Sequence, residues 1–209
     1  SALSAAHEFV DPAGKPHPIV HHDVSPGNVL LTADGHALLA DLTAPATTAA
    51  SPRGEAGSRF FGSLGYAAPE ALRQEAQDGR ADLFSLGAVL YEALAGAPAF
   101  EGDDERQVVF QVLEGKPVEL ARRVPDIAPD LAAVVQRCLE RSRERRYQSA
   151  AELRAALSKC CQHLSAFRLE QRTAAVVREV LGSRIREKEE AMYLAFQRHA
   201  PSAFEHTDT

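Results

Sequence analysis

The sequence is poor in cysteine and has no long apolar run, and each shortage excludes a class of protein. Its three cysteines are an odd number and two of them, Cys160 and Cys161, are adjacent, which suits neither a disulfide framework nor a zinc knuckle. No apolar stretch approaches the roughly 20 residues that span a bilayer. The alanine-rich start also lacks the cationic flank and the apolar core of a signal peptide. We therefore expect a soluble, cytoplasmic protein with free thiols and no membrane segment.

Positive charge is also in short supply. The chain has 23 lysine and arginine residues against 29 aspartate and glutamate residues, a formal net charge of -6 at pH 7. Such a chain is not expected to bind nucleic acid or an anionic membrane through a broad basic surface. Its composition, 45% hydrophobic and 25% charged over 209 residues, is typical of a globular domain with room for an extension.

Apolar residues at helical spacing predict that most of the chain is α-helical. The leucines over 83–94, with Gly96 as the stop signal, predict a wide apolar face and therefore a buried central helix. Later helices are expected to begin at polar caps, and Ser149 with Glu152 can form the reciprocal bonds of a capping box. The other expected caps are Asp103 and Asp130.

The last predicted helical region covers residues 165–200 and is charged throughout. We expect it to break near Gly182, because glycine is a poor helix former. Its apolar residues on one side are Val176, Val177, Val180, Leu181 and Ile185. This is more apolar surface than a free linker helix needs, so the tail is expected to fold back on the rest of the chain or to pair with a second copy in a homodimer. The alternative is a solvent-exposed helical linker to further domains of a longer protein.

A small β-hairpin is predicted in the first quarter of the chain. Two short apolar runs, 29–32 and 36–40, flank the dipeptide Asp34-Gly35. An Asp-Gly pair between two such runs is a strong signal for a tight turn between antiparallel strands.

Two carboxylates and an amide are placed to converge at the open end of this hairpin. Asp23 and Asn28 flank one turn-rich loop before the first strand, and Asp41 ends the second strand. Carboxylate and amide oxygens are ligands that Mg²⁺ prefers, and a carboxylate can also accept a hydroxyl proton. The sequence therefore indicates a site for metal or proton chemistry.

Several motifs around these residues resemble, in order, those of bacterial eukaryotic-like serine/threonine protein kinases. Residues 21–28, H-H-D-V-S-P-G-N, are similar to the catalytic loop H-R-D-x-x-x-x-N, and Asp41 to Thr43 stand where D-F-G belongs. Residues 62–70 resemble the end of an activation segment, 78–87 the start of the central helix, and 138–147 the last subdomain.

The resemblance implies a mainly α protein-kinase-like C-terminal lobe, a helical bundle with a small β-hairpin. This lobe would cover residues 1–163, with an activation segment over 41–70, and a helical C-terminal extension would cover 164–209. The chain would start at the end of the helix that precedes the catalytic loop, with the N-terminal lobe absent.

The resemblance also assigns chemical roles. Asp23 would accept or orient the substrate hydroxyl proton, and Asn28 and Asp41 would hold Mg²⁺, or Mn²⁺ in its place, on the ATP phosphates. Leu30 would lie under the adenine ring. Ser25 stands where most of these kinases have a lysine that meets the γ-phosphate.

Further residues receive structural roles from the same resemblance. Asp82 would anchor the catalytic-loop backbone, and His21 would pack in a hydrophobic stack. Glu70 and Arg146 match a buried ion pair that ties the activation segment to the last helices. Ser63 would lie in the substrate-binding strip.

The sequence departs from the family pattern in several places. It contains neither a glycine-rich loop nor a V-A-I-K lysine. His22 replaces the arginine that pairs with a phosphorylated activation loop, and an imidazole is only fractionally cationic at pH 7. Thr43 replaces the glycine of D-F-G and lacks its access to positive φ.

The implied function is phosphoryl transfer from MgATP to a serine or threonine of a protein substrate or signalling partner, with this chain inactive in isolation. The alternative is a pseudokinase, a binding or scaffold module that performs no transfer. A third reading, a fragment of a complete kinase, predicts G-x-G-x-x-G and a strand lysine in the upstream coding sequence.

Overall fold

The computed structural model describes residues 1–42 and 64–199 of the chain. Within these ranges the fold is mainly α-helical with one two-stranded antiparallel sheet. The elements in chain order are α1 (Ala2–His7), β1 (Val29–Leu31), β2 (Ala37–Leu39), α2 (Pro69–Leu72), α3 (Gly79–Ala95), α4 (Glu105–Leu113), α5 (Leu120–Arg123), α6 (Pro129–Cys138), α7 (Ala150–Cys160) and α8 (Ala166–His199). No helix in the described parts is both long enough and apolar enough to cross a membrane.

The predicted central helix is confirmed as α3, which lies between two hydrophobic clusters. Phe84 and Tyr91 belong to one cluster, and Leu83 and Cys138 belong to the other. The Phe84 ring also stacks on Phe100 with ring centroids 5.7 Å apart. The core of the lobe therefore forms on both sides of a single 17-residue helix.

Polar side chains start several helices, and the structure corrects two of the expected caps. The N-cap of α4 is Asp104 rather than Asp103, because the Asp104 side chain is the one that accepts the Gln107 N–H, at 2.8 Å. α6 begins at Pro129 rather than being capped by Asp130, since proline lacks the N–H that would be unpaired there.

The capping box of α7 forms with a shifted second bond. Ser149 Oγ accepts the Glu152 N–H at 3.0 Å, as expected from the sequence. The Glu152 carboxylate accepts from the Gln148 N–H, at 2.7 Å, rather than from that of Ser149. Two main-chain donors at the start of the helix are still satisfied.

The hairpin forms at the predicted place, and residues 33–35 form its turn inside the pair of Thr32 and His36. The Thr32 N–H donates to the His36 carbonyl, and the Gly35 N–H donates to the Thr32 carbonyl, both at 2.9 Å. Gly35 has a φ of 88°, a left-handed conformation that favours glycine. The Asp34-Gly35 signal is thereby confirmed.

The chain divides into two compact units, and the division crosses both strands of the hairpin. One unit contains Ser1–Leu30 and Leu38–Leu164, and the other contains Leu31–Ala37 and Ser165–Thr209. The predicted break near Gly182 is wrong, because α8 runs through this residue without interruption. One glycine costs only about 1 kcal/mol relative to alanine, too little to interrupt a long helix.

Candidate active site

The start of the catalytic loop is held by a buried carboxylate from α3. Asp82 is 1% exposed, and its two oxygens accept the main-chain N–H groups of His21 at 2.8 Å and His22 at 2.9 Å. Asp78, the N-cap of the same helix, is paired with a cation. The Arg80 guanidinium beside it holds the pKa of its carboxyl below the usual value. A carboxylate on a rigid helix thus fixes the backbone where the loop begins.

His21 connects the catalytic loop to the end of the hairpin. Its side chain is buried, and its Nε2–H donates to the Ala40 carbonyl at 2.8 Å. Two of the positive-φ residues flank this connection, His22 at 67° and Asp41 at 58°. Such non-glycine conformations cost roughly 1–3 kcal/mol each and cluster at functional sites.

Asn28 orients Asp23, the predicted catalytic carboxylate. The Asn28 Nδ2 group donates to the Asp23 main-chain carbonyl at 2.8 Å and to Asp23 Oδ2 at 2.9 Å. Asp23 is otherwise exposed, and its Oδ1 makes no hydrogen bond to the described residues. One carboxylate oxygen is therefore positioned by the protein while the other can receive a hydroxyl hydrogen.

Asp41 is brought beside Asn28 by the last bond of the hairpin. The Ala40 N–H donates to the Asn28 carbonyl at 2.8 Å, so Asp41 follows immediately after the residue paired with Asn28. Asn28 uses its Nδ2 for Asp23, and its Oδ1 has no partner among the described residues. The structure thus brings one carboxylate and one amide oxygen of the predicted metal ligands to the same end of the hairpin.

These donors fit a magnesium ion that is shared with phosphate. No cluster of three His, Cys, Asp or Glu side chains suited to a metal occurs in the described ranges. Mg²⁺ is nevertheless commonly held by one or two carboxylates together with substrate phosphates and water, rather than by an all-protein cage. Asn28 and Asp41 carry oxygen atoms of the types that such a partial set contains.

The remaining predicted site residues have different accessibilities. Leu30 is 51% exposed, and Leu38 and Leu42 are exposed to a similar degree. Ser25, by contrast, is only 8% exposed, which makes it the least accessible of the predicted catalytic residues. Ser63 lies outside the described residues, as does most of the predicted activation segment.

Glu70 and Arg146 form a buried, bidentate ion pair. Two nitrogens of the guanidinium donate to the two Glu70 oxygens at 2.7 and 2.8 Å. The other three N–H groups donate to main-chain carbonyls of Arg80, Glu140 and Arg141. All five donors of this buried side chain are therefore satisfied, the condition under which a buried charge is tolerated.

One contact to the catalytic-loop anchor was not identified from the sequence. His7, at the end of α1, bonds Asp82 Oδ2 through Nε2 at 2.7 Å. The only local signal is that His7 shares a helical face with the buried Leu3 and Ala6. Its partner is 75 positions away, so no local pattern could identify it.

Comparison with known proteins gives consistent matches. A family model described as the protein kinase domain matches residues 14–163. Serine/threonine-protein kinase PknB of Mycolicibacterium smegmatis is 40% identical over 144 residues, covering 68% of this chain and 23% of that protein. A probable serine/threonine-protein kinase of Streptomyces coelicolor is 34% identical over 148 residues, covering 68% of this chain and 21% of that protein. Tyrosine-protein kinase MasK of Myxococcus xanthus is 33% identical over 164 residues, covering 78% of this chain and 25% of that protein.

The chain thus spans about a quarter of the length of these curated relatives. The family match itself covers well over half of the chain and includes the catalytic loop, the hairpin and α2 to α7. It confirms the resemblance drawn from the sequence motifs. This chain belongs to the protein kinase domain family.

Proposed function

We propose that this chain orients the substrate hydroxyl and holds the metal of MgATP in a protein kinase that phosphorylates serine or threonine. The observation that carries the proposal is the pair of bonds from Asn28 to Asp23, with Asp41 placed next to Asn28 by the Ala40 bond. The reaction would take place in the cytoplasm, where MgATP and protein substrates meet.

Asp23 would act on the hydroxyl nucleophile. Because Asn28 holds Oδ2, the free Oδ1 would accept the hydroxyl hydrogen and direct the oxygen towards the γ-phosphorus atom. Phosphoryl transfer depends mainly on positioning and charge stabilisation, so a rigid carboxylate suits this role. The bound Mg²⁺ would neutralise charge on the phosphate oxygens. Asn28 Oδ1 and the Asp41 carboxylate would be its protein ligands.

These 209 residues contain no glycine-rich loop and no V-A-I-K lysine, so we propose that the chain alone performs no measurable transfer. Groups that cover the phosphates and exclude water supply much of the rate enhancement of such enzymes. A chain without them is expected to bind metal weakly and nucleotide poorly.

A binding or scaffold role is the second candidate. It is favoured by the exposure of three leucines in and just after the hairpin, Leu30, Leu38 and Leu42, which a protein partner could cover. His22, in the position of the usual arginine, is exposed and bonds Gln77 through Nδ1, which gives no cationic fork for a phosphate.

The class of substrate hydroxyl must be tested directly. Two of the relatives are named serine/threonine kinases, whereas MasK is named a tyrosine kinase. Serine, threonine and tyrosine peptides should therefore all be offered, with MgATP, to this chain and to the product of its full-length gene. If that product contains a glycine-rich loop and a strand lysine, we expect it to phosphorylate serine or threonine and to lose this activity in Asp23→Asn. A full-length product that is inactive on all three peptides supports the scaffold role.

Metal binding by the 209-residue chain tests the site without turnover. Mn²⁺ binding measured by water-proton relaxation should be weak in the wild type and lost in Asp41→Ala. The matched control is Asp126→Ala, an exposed aspartate between α5 and α6, which should bind as the wild type does. No binding by the wild type, or equal binding by Asp41→Ala, would refute the metal site.

A further inference from the structure

The turn of the hairpin packs against the first half of α8, within one compact unit. A Cβ built on Gly35 would collide with the main-chain carbonyl of Glu170 and lie 2.9 Å from the Ala174 nitrogen. His36 Nδ1 lies 3.8 Å from a Glu170 carboxylate oxygen. Glycine is therefore required at position 35 for two reasons, the positive φ and the nearness of the helix.

The contacted face of α8 is buried, although most of the helix is exposed. Ala174 and Val177 are 3% and 4% exposed, whereas Val176 is 56% exposed. Ala175, next to Ala174, is also exposed. A defined stripe of α8, one to two turns long, is thus set apart from the remainder of the helix.

The hairpin needs support of this kind. It has only two strands of three residues each, and Leu30 and Leu38 are more than half exposed. An isolated two-stranded hairpin is marginally stable at best in water. Its order must therefore come from what its two ends contact, and α8 is the contact at the turn.

The opposite end of the hairpin carries the proposed metal ligands. β1 begins directly after Asn28, and two residues after the end of β2 comes Asp41. Because Ala40 pairs with Asn28, both ligands move with the strands. A displacement of the hairpin turn would be transmitted through the three paired residues of each strand to Asn28 and Asp41.

We propose that the 170–177 segment of α8 is a positioning element for the metal site, acting through the hairpin turn on Asn28 and Asp41. The inference rests on the proposed metal-binding function of these two residues. The tail is then more than an appendage of the kinase domain: release of the turn from α8 lowers the affinity for the metal, and contact raises it.

A pair of neighbouring alanines tests the proposal in the full 209-residue chain. Ala174→Glu places a charge on the buried face, whereas Ala175→Glu places the same charge on the exposed face with the same helix propensity. Mn²⁺ affinity should fall about tenfold in Ala174→Glu, as is typical when a group that supports metal ligands is removed. Ala175→Glu should bind as the wild type does. Equal affinities of the two variants would overturn the proposal.

A pair of glycines provides a second test if Ala174→Glu does not fold. Gly35 and Gly14 both have positive φ, at 88° and 79°, but a Cβ on Gly14 would have nothing within 4 Å. Gly35→Ala should reduce Mn²⁺ affinity, and Gly14→Ala, with comparable backbone strain, should leave it unchanged. A loss of affinity in both variants would mean that strain rather than the α8 contact is responsible, and would overturn the proposal.

Hydrogen exchange separates failure of this inference from failure of the proposed function. The Ala40 amide, which bonds Asn28, should exchange faster in Ala174→Glu than in Ala175→Glu, while amides of α3 should be unaffected. If the wild type binds no Mn²⁺, the proposed function fails. Faster Ala40 exchange in Ala174→Glu would still show that α8 stabilises the hairpin. Unchanged Ala40 exchange would refute that support whether or not the metal binds.

Discussion

The helices α3 and α8 differ in what keeps them helical. α3 has 17 residues, eight of them buried, and among the buried residues are a carboxylate and a tyrosine. α8 has 34 residues, and in its described part Ala174 and Val177 are the buried hydrophobic side chains, while Val180 is 68% exposed. α3 is stabilised by tertiary packing on both sides, whereas α8 depends largely on its own length and helix propensity.

The charged groups of the two regions differ in the same way. In the region around α3, Glu70 and Arg146 are buried and joined by two hydrogen bonds. On α8, Glu170 and its partner His36 are about half exposed. A buried pair is costly to disrupt, because the remaining partner is left uncompensated, whereas an exposed pair contributes little. Substitutions of charged residues in the α3 region should therefore lower the free energy of unfolding much more than those in α8.

The largest effect is expected for Arg146→Ala. This change leaves the Glu70 carboxylate buried without its partner and removes three bonds to main-chain carbonyls, so the free energy of unfolding should fall by about 3–5 kcal/mol. Arg145→Ala is the matched control, because the neighbouring Arg145 is exposed, and it should change stability by less than about 0.5 kcal/mol. Urea denaturation followed by circular dichroism measures both. Equal, small effects would show that the pair does not hold the lobe together.

Replacing a glycine by alanine should change stability in opposite directions in the two helices. In α3, a Cβ on Gly87 would collide with the Cys138 Cβ of α6, so Gly87→Ala should destabilise the protein by about 1–3 kcal/mol through overpacking. In α8, the nearest atom to a Cβ on Gly182 is the mobile guanidinium of Arg186, at 3.5 Å. Gly182→Ala should stabilise the helix by about 0.5–1 kcal/mol.

Circular dichroism during denaturation distinguishes these two outcomes. Gly87→Ala should lower the midpoint of the main transition, and Gly182→Ala should raise helicity without lowering that midpoint. A stabilising Gly87→Ala would mean that α3 and α6 are not closely packed at this point. A destabilising Gly182→Ala would mean that α8 carries a close contact at Gly182.

An effect well below that of Arg146→Ala is a pH dependence from the buried thiol of Cys138. Burial raises the pKa of this thiol to about 12, above its value of about 8.5 in an unfolded chain. The contribution of the neutral Cys138 thiol to the stability of the fold is therefore complete below the pKa that this thiol has in the unfolded chain. It is lost as the pH rises towards the pKa in the folded chain. Between about pH 7.5 and 9.5 the loss amounts to about 1.4 kcal/mol.

Unfolding measured across this pH range should show a shallower slope in Cys138→Ala than in the wild type. Cys161→Ala, which removes a partly exposed thiol, is the matched control variant. In the native wild type, a thiol reagent should modify Cys160 and Cys161 before Cys138. Rapid modification of all three would contradict the burial of Cys138 in the α3 region.

The helix caps and the hairpin show which local features the sequence patterns predict correctly. The turn at Asp34-Gly35 and the start of α7 at Ser149 depend on residues within a few positions of each other, and both were identified. The sequence favours Asp103 as the cap of α4, one residue before the observed cap. Two adjacent aspartates offer the same side chain, and only the backbone angles of the folded loop select Asp104.

In the candidate site, too, the residues that lie close together in the sequence are predictable and the distant pair is not. The order of Asp23, Asn28 and Asp41 around a hairpin was evident in the sequence, because one short segment contains all three. The bond of His7 to Asp82 spans 75 positions, and no periodicity or motif encodes such a pair. It forms because the packing of α1 near α3 brings the two side chains together.

The family, the mainly helical class, the hairpin and the residues available for chemistry are all predictable from the amino-acid sequence, since they follow from motifs and from contacts between close neighbours. The burial and full pairing of charges, as at Arg146, and the continuation of α8 through Gly182 depend instead on long-range packing. The same packing places the hairpin turn on Glu170 and Ala174. Such contacts join distant segments, and their energies depend on burial and on the close fit of packed elements, which no local pattern of residues specifies.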